Sequence, residues 1–327
     1  MTRIIVTGGA GFIGSHFCEK LLQAGCEVIC IDNFLTGNPA NVENLKRNPR
    51  FRLVEHDINN PFGAETLAGF GKIDRIYHLA CPASPVDYRE IPLQTLWVNA
   101  AGMKNILELA VKSGARLLHA STSEVYGDPR EHPQKETYWG NVNPIGERSC
   151  YNEGKRYAES LCMAYYKAYR LPLKIVRIFN TYGPRMRGSD GRVIPEFISR
   201  AMAGEPLKIN GGGAQTRSFC YIDDMVDGLM AAMETPDDFT GPVNLGNPEE
   251  ISIKKLAEKI IALTGSSSKI LNAEMPQDDP MQRQPDIALA RAVLKFEPKV
   301  GLEEGLEKTI AYFKAVCNQS LSPSSIN

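Results

Sequence analysis

Short apolar runs alternate along the first half of the chain with longer segments in which apolar residues recur every three or four positions. The short runs predict buried strands at residues 3–7, 27–32, 51–55, 75–79, 116–121 and 173–178. The longer, periodic segments predict helices at residues 12–24 and 93–112. Because strands and helices alternate, the pattern predicts a parallel sheet that helices cover on both faces. The predicted fold class is therefore a doubly wound α/β sheet.

The composition of the chain changes near residue 180. Residues 180–192 are rich in Gly, Pro, Arg and Asp, and the sequence Asn-Gly-Gly-Gly at 210–213 predicts a tight turn. We therefore place a domain boundary at this point of the chain. Residues 1–180 are expected to form the doubly wound domain, and residues 181–317 are expected to form mainly a smaller α/β domain that binds the substrate.

The chain is expected to cross between the two domains more than once. A short buried run at 243–245 predicts a return to the first domain, around residues 214–248. Two further helices are predicted at 252–263 and 302–316. Residues 318–327 are rich in Ser and Asn, and we expect a disordered tail there.

Charge and cysteine content exclude several classes of protein. A net charge of −1 leaves no overall basic field, which argues against a nucleic-acid partner. The sequence has no apolar run of about 18 residues and no basic N-terminal leader, so we predict no membrane span and no export. The eight cysteines show no C-x-x-C spacing, which favours reduced thiols in the cytoplasm and no metal site.

A glycine-rich turn between the first strand and the first helix predicts a dinucleotide site. Gly8, Gly11 and Gly14 have the spacing at which missing Cβ atoms let the backbone approach a diphosphate at a helix N-terminus. Asp32 ends the second strand, where its carboxylate would bind ribose hydroxyls and repel a 2′-phosphate, so we favour NAD over NADP. Glycines that serve packing alone are the alternative. We also expect cofactor contacts from Phe12, Ile13, Asn33, Asp57, Ile58, Leu79 and Ala80.

A tyrosine and a lysine four residues apart predict a proton-transfer pair. Tyr151 and Lys155 project from the same face of a predicted helix, one turn apart. A nearby ammonium favours the phenolate, so we expect Lys155 to lower the pKa of Tyr151 and make it a general base. An isolated pair of this kind is more often an ordinary surface pair. Here the fifth strand ends in Thr122-Ser123-Glu124, and the strand ends of doubly wound sheets bind ligands.

Longer motifs extend this pattern, at residues 120–129, 138–146, 153–156, 177–185 and 190–193. Together with the glycine turn and the Tyr/Lys pair, they resemble the extended short-chain dehydrogenase/reductase superfamily and, within it, the UDP-glucuronate decarboxylase family. The resemblance covers residues 3–315. It implies a Rossmann sheet with a C-terminal substrate domain, and NAD-dependent conversion of UDP-glucuronate to UDP-xylose through a UDP-4-keto-sugar. It also implies a homodimer built through a four-helix bundle.

The resemblance assigns roles to individual residues. It implies a catalytic set of Thr122, Ser123, Glu124, Tyr151, Lys155 and Arg283. Tyr151 would take the proton of the C4 hydroxyl, and Lys155 would also bind the nicotinamide ribose. Ser123 and Glu124 would act on the C5 and C6 side of the sugar, and Arg283 would reach its carboxylate or the leaving group. The implied substrate contacts are Tyr88, Asn180, Arg185, Arg192, Val193, Gln215, Arg217, Tyr221 and Arg283.

Other functions stay open at this stage. A Thr-Asp-Glu sequence at 122–124 would resemble the nucleotide-sugar 4,6-dehydratases, and related 4-epimerases generally lack an acid at position 124. Ser123 beside Glu124 therefore favours decarboxylation. A protein that only sensed NAD would be expected to have lost Tyr151 or Lys155, and both are present.

Overall fold

The computed structural model describes residues 1–274 and 282–320. Its strands are β1 (Arg3–Thr7), β2 (Glu27–Asp32), β3 (Phe51–Glu55), β4 (Arg75–His78), β5 (Arg116–Thr122), β6 (Leu173–Ile178), β7 (Thr181–Tyr182), β8 (Leu207–Asn210), β9 (Thr216–Ser218), β10 (Cys220–Tyr221), β11 (Val243–Leu245), β12 (Glu250–Ser252), β13 (Ile270–Ala273) and β14 (Gln282–Arg283). Its helices are α1 (Phe12–Gln23), α2 (Ala64–Phe70), α3 (Pro85–Glu90), α4 (Pro92–Trp97), α5 (Met103–Ser113), α6 (Ser149–Tyr169), α7 (Val193–Met202), α8 (Ile222–Met233), α9 (Ile253–Thr264), α10 (Ala288–Leu294) and α11 (Leu302–Ser320).

A seven-stranded sheet forms the centre of the fold, in the order β11-β6-β5-β4-β1-β2-β3. All its neighbouring strands are parallel, which confirms the doubly wound α/β fold predicted from the sequence. β11 pairs with β6, so residues 243–245 lie at one edge of this sheet. The strand order reverses between β1 and β4, and ligands bind at the carboxyl ends of the strands beside such a reversal.

Alternate residues of each central strand face opposite helical layers. Ile4 and Val6 of β1 pack with Phe17 of α1 in one apolar cluster. Ile5 of the same strand packs with Ile106 of α5 in the other cluster. Because helices cover both faces of the sheet, the strands are apolar along almost their whole length, and this explains the short apolar runs of the sequence.

The second half of the chain contributes smaller sheets. β8 pairs with β13, and β9 lies between β12 and β14. α9 packs against α7, β8 and α11. α11 continues to Ser320, so residues 318–320, which we expected to be disordered, are helical. The rest of that expected tail, residues 321–327, lies outside the described residues.

The helix expected at residues 93–112 is interrupted. α4 ends at Trp97, a π-helical turn covers Val98–Gly102, and α5 follows. Asn99 in this turn is buried, and its Nδ2 donates to the Thr95 carbonyl oxygen at 2.8 Å. A π-helical turn inserts one residue into a helix, so it changes which side chains face the neighbouring α6.

Every helix within residues 1–274 and 282–320 is too short or too polar to span a bilayer. The eight cysteines all lie in this part of the chain, and each is a free thiol. In the same residues, no group of three or more His, Cys, Asp or Glu side chains is placed to hold a metal ion.

Candidate active site

A cavity of about 490 Å³ opens at the carboxyl ends of the central strands. The residues expected to hold the cofactor all line it, namely Gly8, Gly11, Phe12, Ile13, Gly14, Asp32, Asn33, Asp57, Ile58, Leu79, Ala80, Tyr151 and Lys155. Most of the other expected site residues also line it, namely Tyr88, Thr122, Ser123, Glu124, Asn180, Arg185, Arg192, Val193, Gln215 and Arg217. The cavity thus brings together side chains from both halves of the chain.

The glycine turn, residues 8–14, exposes backbone at its glycines in one wall of the cavity, and we call this segment the bare cradle. Gly8 has a φ of 71°, and a Cβ there would lie 2.7 Å from the Ala80 Cα. A Cβ on Gly14 would lie 2.1 Å from the Gly8 carbonyl oxygen, so α1 packs directly against the end of β1. α1 begins after Gly11 without a side-chain cap, which leaves its first N–H groups for a ligand. This cradle fits the diphosphate of a dinucleotide.

Asp32 provides the second feature expected of a dinucleotide site. Its Oδ2 accepts a hydrogen bond from Ala10 N and its Oδ1 accepts one from Phe34 N, each at 2.9 Å. Burial raises the pKa of Asp32, and these backbone N–H groups oppose the rise. A Cβ on Gly37 would lie 2.7 Å from Oδ1, so the loop packs closely on the carboxylate. An acid fixed in this position favours a ribose 2′-hydroxyl over a 2′-phosphate.

Tyr151 and Lys155 lie one turn apart on α6, and both side chains are buried, with exposed fractions of 6% and 3%. The Tyr88 ring of α3 stacks on the Tyr151 ring, with 5.1 Å between the ring centroids and 6° between the ring planes. Lys155 Nζ donates to the Ala120 carbonyl oxygen at 2.8 Å. This burial at the end of β5 excludes the ordinary surface pair that the sequence left open.

The pKa of Tyr151 lies above its ordinary value, contrary to our expectation. Burial raises it first and the neighbouring Cys81 raises it further, whereas a hydrogen bond with Thr122 lowers it. Lys155 Nζ donates to the Ala120 carbonyl oxygen, and its effect on the Tyr151 phenol does not outweigh that of burial. The phenol is therefore neutral in the free protein, and the net lowering of its pKa that we expected from Lys155 is not found there.

Glu124 follows β5 directly and pairs with an arginine from the far end of the sequence. Arg283 Nη1 donates to Glu124 Oε1 at 2.9 Å and to Ser123 Oγ at 3.2 Å. Burial alone would raise the pKa of Glu124, but Arg283, followed by Arg148 and Arg217, holds it below its ordinary value. The wall of the cavity beside Tyr151 therefore carries a carboxylate that is ionised at neutral pH.

Two of the expected substrate contacts do not line the cavity formed by the described residues. Arg283 is only 1% exposed, and it lies behind Glu124, with which it pairs. Tyr221 packs edge-on against Tyr182, and Lys308 Nζ lies 5.4 Å from its ring centroid. We therefore correct both expectations. The contacts of Arg283 are with Glu124 rather than with the cavity, and Tyr221 belongs to the apolar core around α8.

Two arginines in the wall of the cavity are paired with carboxylates of the protein itself. Arg185 forms an ion pair with Glu19 of α1. Arg192 Nε donates to Asp190 Oδ2 at 2.8 Å. Both guanidiniums line the cavity, and their planar donor groups suit phosphate and carboxylate ligands. This wall is therefore suited to an anionic ligand.

Sequence reasoning missed three further arginines that line the cavity, namely Arg89 of α3 and two others. Arg148, which immediately precedes α6, donates from Nε to the Tyr88 hydroxyl oxygen at 2.9 Å. Arg187 forms an ion pair with Asp87 of α3. Neither belongs to a spacing pattern, and the available signal was that each lies close in sequence to an expected site residue.

Residues 4–246 match the NAD dependent epimerase/dehydratase family. The chain belongs to this family. Among its relatives, UDP-glucuronic acid decarboxylase 1 from Arabidopsis thaliana is 52% identical over 312 residues, which cover 95% of this chain and 70% of that protein. The protein of the same name from Xenopus tropicalis is also 52% identical over 312 residues, which cover 95% of this chain and 72% of that protein.

Solved structures of the epimerase/dehydratase family share the fold. UDP-glucuronic acid 4-epimerase from Bacillus cereus, in complex with UDP-glucuronic acid and NAD, is 33% identical with a TM-score of 0.86. The match covers 96% of this chain and 100% of that chain. With the two decarboxylases, this likeness confirms the superfamily and the decarboxylase family that the sequence motifs indicated.

Proposed function

We propose that this chain catalyses the NAD-dependent decarboxylation of UDP-glucuronate to UDP-xylose. The observation that carries the proposal is the ionised Glu124, which pairs with Arg283 and lines the same cavity as the buried Tyr151. Oxidation at C4 needs a proton acceptor such as Tyr151, and the later proton transfer at C5 needs a second group nearby. The names of the decarboxylases described above support the same reaction.

The residues that would hold NAD are those of the bare cradle, Asp32 and Lys155. When bound there, NAD⁺ would supply the hydride acceptor for C4 and later return the hydride. One N–H of Lys155 donates to the Ala120 carbonyl oxygen, and its two further N–H donors suit ribose hydroxyls. Once its own proton has been released to solvent, Tyr151 would accept the proton of the C4 hydroxyl as a phenolate, which a positive charge brought into the cavity would favour.

The side chains at the end of β5 would act on the ketone. A 4-ketone lies β to the C6 carboxylate, so carbon dioxide can leave as its electron pair delocalises into the carbonyl group. The hydroxyls of Thr122 and Tyr151 would stabilise the resulting enolate by hydrogen bonds. We assign Glu124 and Ser123 to the protonation of C5 through a water molecule, because a carboxylate held by Arg283 fixes an acceptor for that water.

One assay separates the candidate functions. Purified protein is incubated with UDP-glucuronate and NAD, and the products are followed by carbon dioxide release and by proton NMR of the sugar. UDP-xylose with carbon dioxide supports the proposal. UDP-galacturonate without carbon dioxide would identify a 4-epimerase, and NAD binding without turnover would identify a sensor.

We also propose that the chain acts as a homodimer. Large apolar side chains on α4 and α6 are exposed, namely Leu93, Leu96, Trp97, Tyr157 and Tyr169. α4 packs against α6, and the same two helices of a second copy would cover these side chains in a four-helix bundle.

The free thiols support a reducing compartment, for which we propose the cytoplasm. We likewise propose that residues 1–180 bind the cofactor and that residues 181–317 mainly bind the UDP-sugar.

A further inference from the structure

Gln134 is a buried polar residue with an exposed fraction of 0%. It joins its own segment to the residues that follow Arg283. Gln134 N donates to the Gln284 carbonyl oxygen, Gln134 Oε1 accepts from Gln284 N, and the Gln134 carbonyl oxygen accepts from Asp286 N, each at 2.9 Å. Its Nε2 donates to the Glu131 carbonyl oxygen at 2.8 Å. The amide group is therefore satisfied at both ends, and its orientation is fixed.

These bonds hold the backbone of Arg283 from one side. On the other side, β14 pairs in parallel with β9. Between these two supports, the side chain of Arg283 points at three acceptors, one of which is Ser123 Oγ. Its Nη1 donates to Glu124 Oε1 at 2.9 Å, and its Nη2 donates to the Gly127 carbonyl oxygen at 2.7 Å. The direction of the guanidinium therefore depends on a backbone that Gln134 holds in place.

We propose that Gln134 is a positioning residue for the reaction, which acts on Glu124 through the placement of Arg283. The contacts run from Gln134 to Gln284, to Arg283 and then to Glu124. Among the described members of this series, Glu124 is the one that lines the cavity. The kinetic part of the inference rests on the proposed function, whereas the effect on the Glu124 carboxyl group does not.

A displaced guanidinium would leave Glu124 with less positive charge close to it. An opposite charge nearby lowers the pKa of a carboxyl group, so displacement raises the pKa of Glu124. The other titratable or charged groups that face Glu124 are Arg148, Arg217, Tyr88 and Tyr151. Arg217 is the register partner of Arg283 on β9, whereas Arg148 precedes α6, outside this ladder, and keeps part of the lowering. We therefore expect the pKa of the Glu124 carboxyl group to rise part of the way toward its ordinary value.

The test replaces the amide of Gln134 without shortening the side chain much. Gln134→Met removes both hydrogen-bonding groups of the amide. Thr309→Val is the matched control, because Thr309 is also buried and its hydroxyl donates to the Gly305 carbonyl oxygen of the same helix, α11. In Gln134→Met, we expect the acid limb of the pH profile of kcat to move to higher pH and kcat to fall by about 10²-fold. In Thr309→Val, the acid limb should stay where it is in the wild type.

A double variant shows whether Gln134 acts through Arg283. In the Arg283→Met background, Gln134→Met should not move the acid limb further. A further movement equal to that in the wild-type background would overturn the proposal. If Gln134→Met does not fold, Gln134→Asn gives the same readout, since the shorter side chain withdraws the acceptor from Gln284 N and leaves the main-chain bonds.

A measurement without turnover separates this inference from the proposed function. The Glu124 carboxyl is titrated by ¹³C NMR in protein labelled at glutamate, with Glu124→Gln to assign its signal. We expect a higher pKa in Gln134→Met than in the wild type. An unchanged pKa together with a lower Tm would show that Gln134 is merely structural. If the wild type does not decarboxylate UDP-glucuronate, the proposed function fails and this titration still decides the role of Gln134.

Discussion

Acid should destabilise this protein through two buried histidines on the central strands β4 and β5. His78 on β4 lies opposite His119 on β5, and their rings stack with 5.5 Å between centroids. Their exposed fractions are 1% and 0%. The Thr7 hydroxyl lies 2.8 Å from His78 Nδ1. Burial, followed by the ammonium of Lys155, lowers the pKa of His78 from 6.5 to about 3.

The pKa of His119 is lowered in the same direction, by burial, then by Lys155 and His78. Both rings are therefore neutral in the folded protein, whereas each binds a proton near pH 6.5 once the chain unfolds. The unfolded state then holds more protons below this pH. These rings therefore cost no stability above about pH 6.5, and stability is lost progressively as the pH falls from there toward the lower pKa of each ring in the folded protein.

The size of the effect follows from proton linkage. At pH 5, about 1.5 units below the ordinary pKa, a histidine that stays neutral in the folded state lowers the free energy of unfolding by about 2 kcal/mol. His78 meets this condition because its pKa is about 3. Two such rings would remove about 4 kcal/mol, a large part of the roughly 5–15 kcal/mol that stabilises a typical native protein.

His119→Leu tests this reasoning, because leucine fills the site and does not titrate. For a chain of 327 residues, about 2 kcal/mol corresponds to a change of about 3 °C in Tm. Between pH 7.5 and pH 5.0, we expect the Tm of the variant to rise by about this amount relative to the wild type, measured by thermal unfolding. All other titrating groups are shared, so they cancel. Parallel curves for the two proteins would refute the argument.

Three further predictions concern activity and assembly. Tyr151→Phe should keep NAD binding, measured by fluorescence, while kcat falls by about 10²–10⁴-fold, because only the proton acceptor is lost; near-wild-type turnover would contradict the mechanism. Arg283→Ala should impair carbon dioxide release more than NAD affinity, because Glu124 loses its partner, and a lower Tm with normal kcat would make Arg283 structural. Trp97→Glu should give a monomer by sedimentation, because the substitution places a negative charge on the exposed apolar face. A monomeric wild type would contradict the dimer proposal.

The sheet was predictable because strands buried on both faces are continuous apolar runs, and β2 and β6 have the bounds that their runs indicate. The interruption of the helix at 93–112 was not predictable. The apolar period continues through Val98–Gly102, and an inserted residue in a π-helical turn leaves no mark in composition. Periodicity therefore located the helix but not its inner geometry.

The cofactor side of the site was predictable because its residues form local patterns, in which the glycine turn and Asp32 each adjoin a strand. The part of the site that contains Glu124 was not predictable to the same degree. The ion pair between Arg283 and Glu124 joins residues 159 positions apart, and no spacing rule connects them. Gln134 carried no signal either, since a glutamine in a loop is normally exposed. Its role depends on a contact that only the folded chain creates.

The ion pairs of Arg185 with Glu19 and of Arg192 with Asp190 also bear on how a ligand is selected. An anion that reaches these guanidiniums meets positive charge that Glu19 and Asp190 already partly neutralise. The attraction for a ligand with a single negative charge is therefore weaker than two unpaired guanidiniums would give. A ligand that carries several negative charges, such as a diphosphate, gains more from the same arginines. The number of charges on a ligand would then decide how well this part of the cavity retains it.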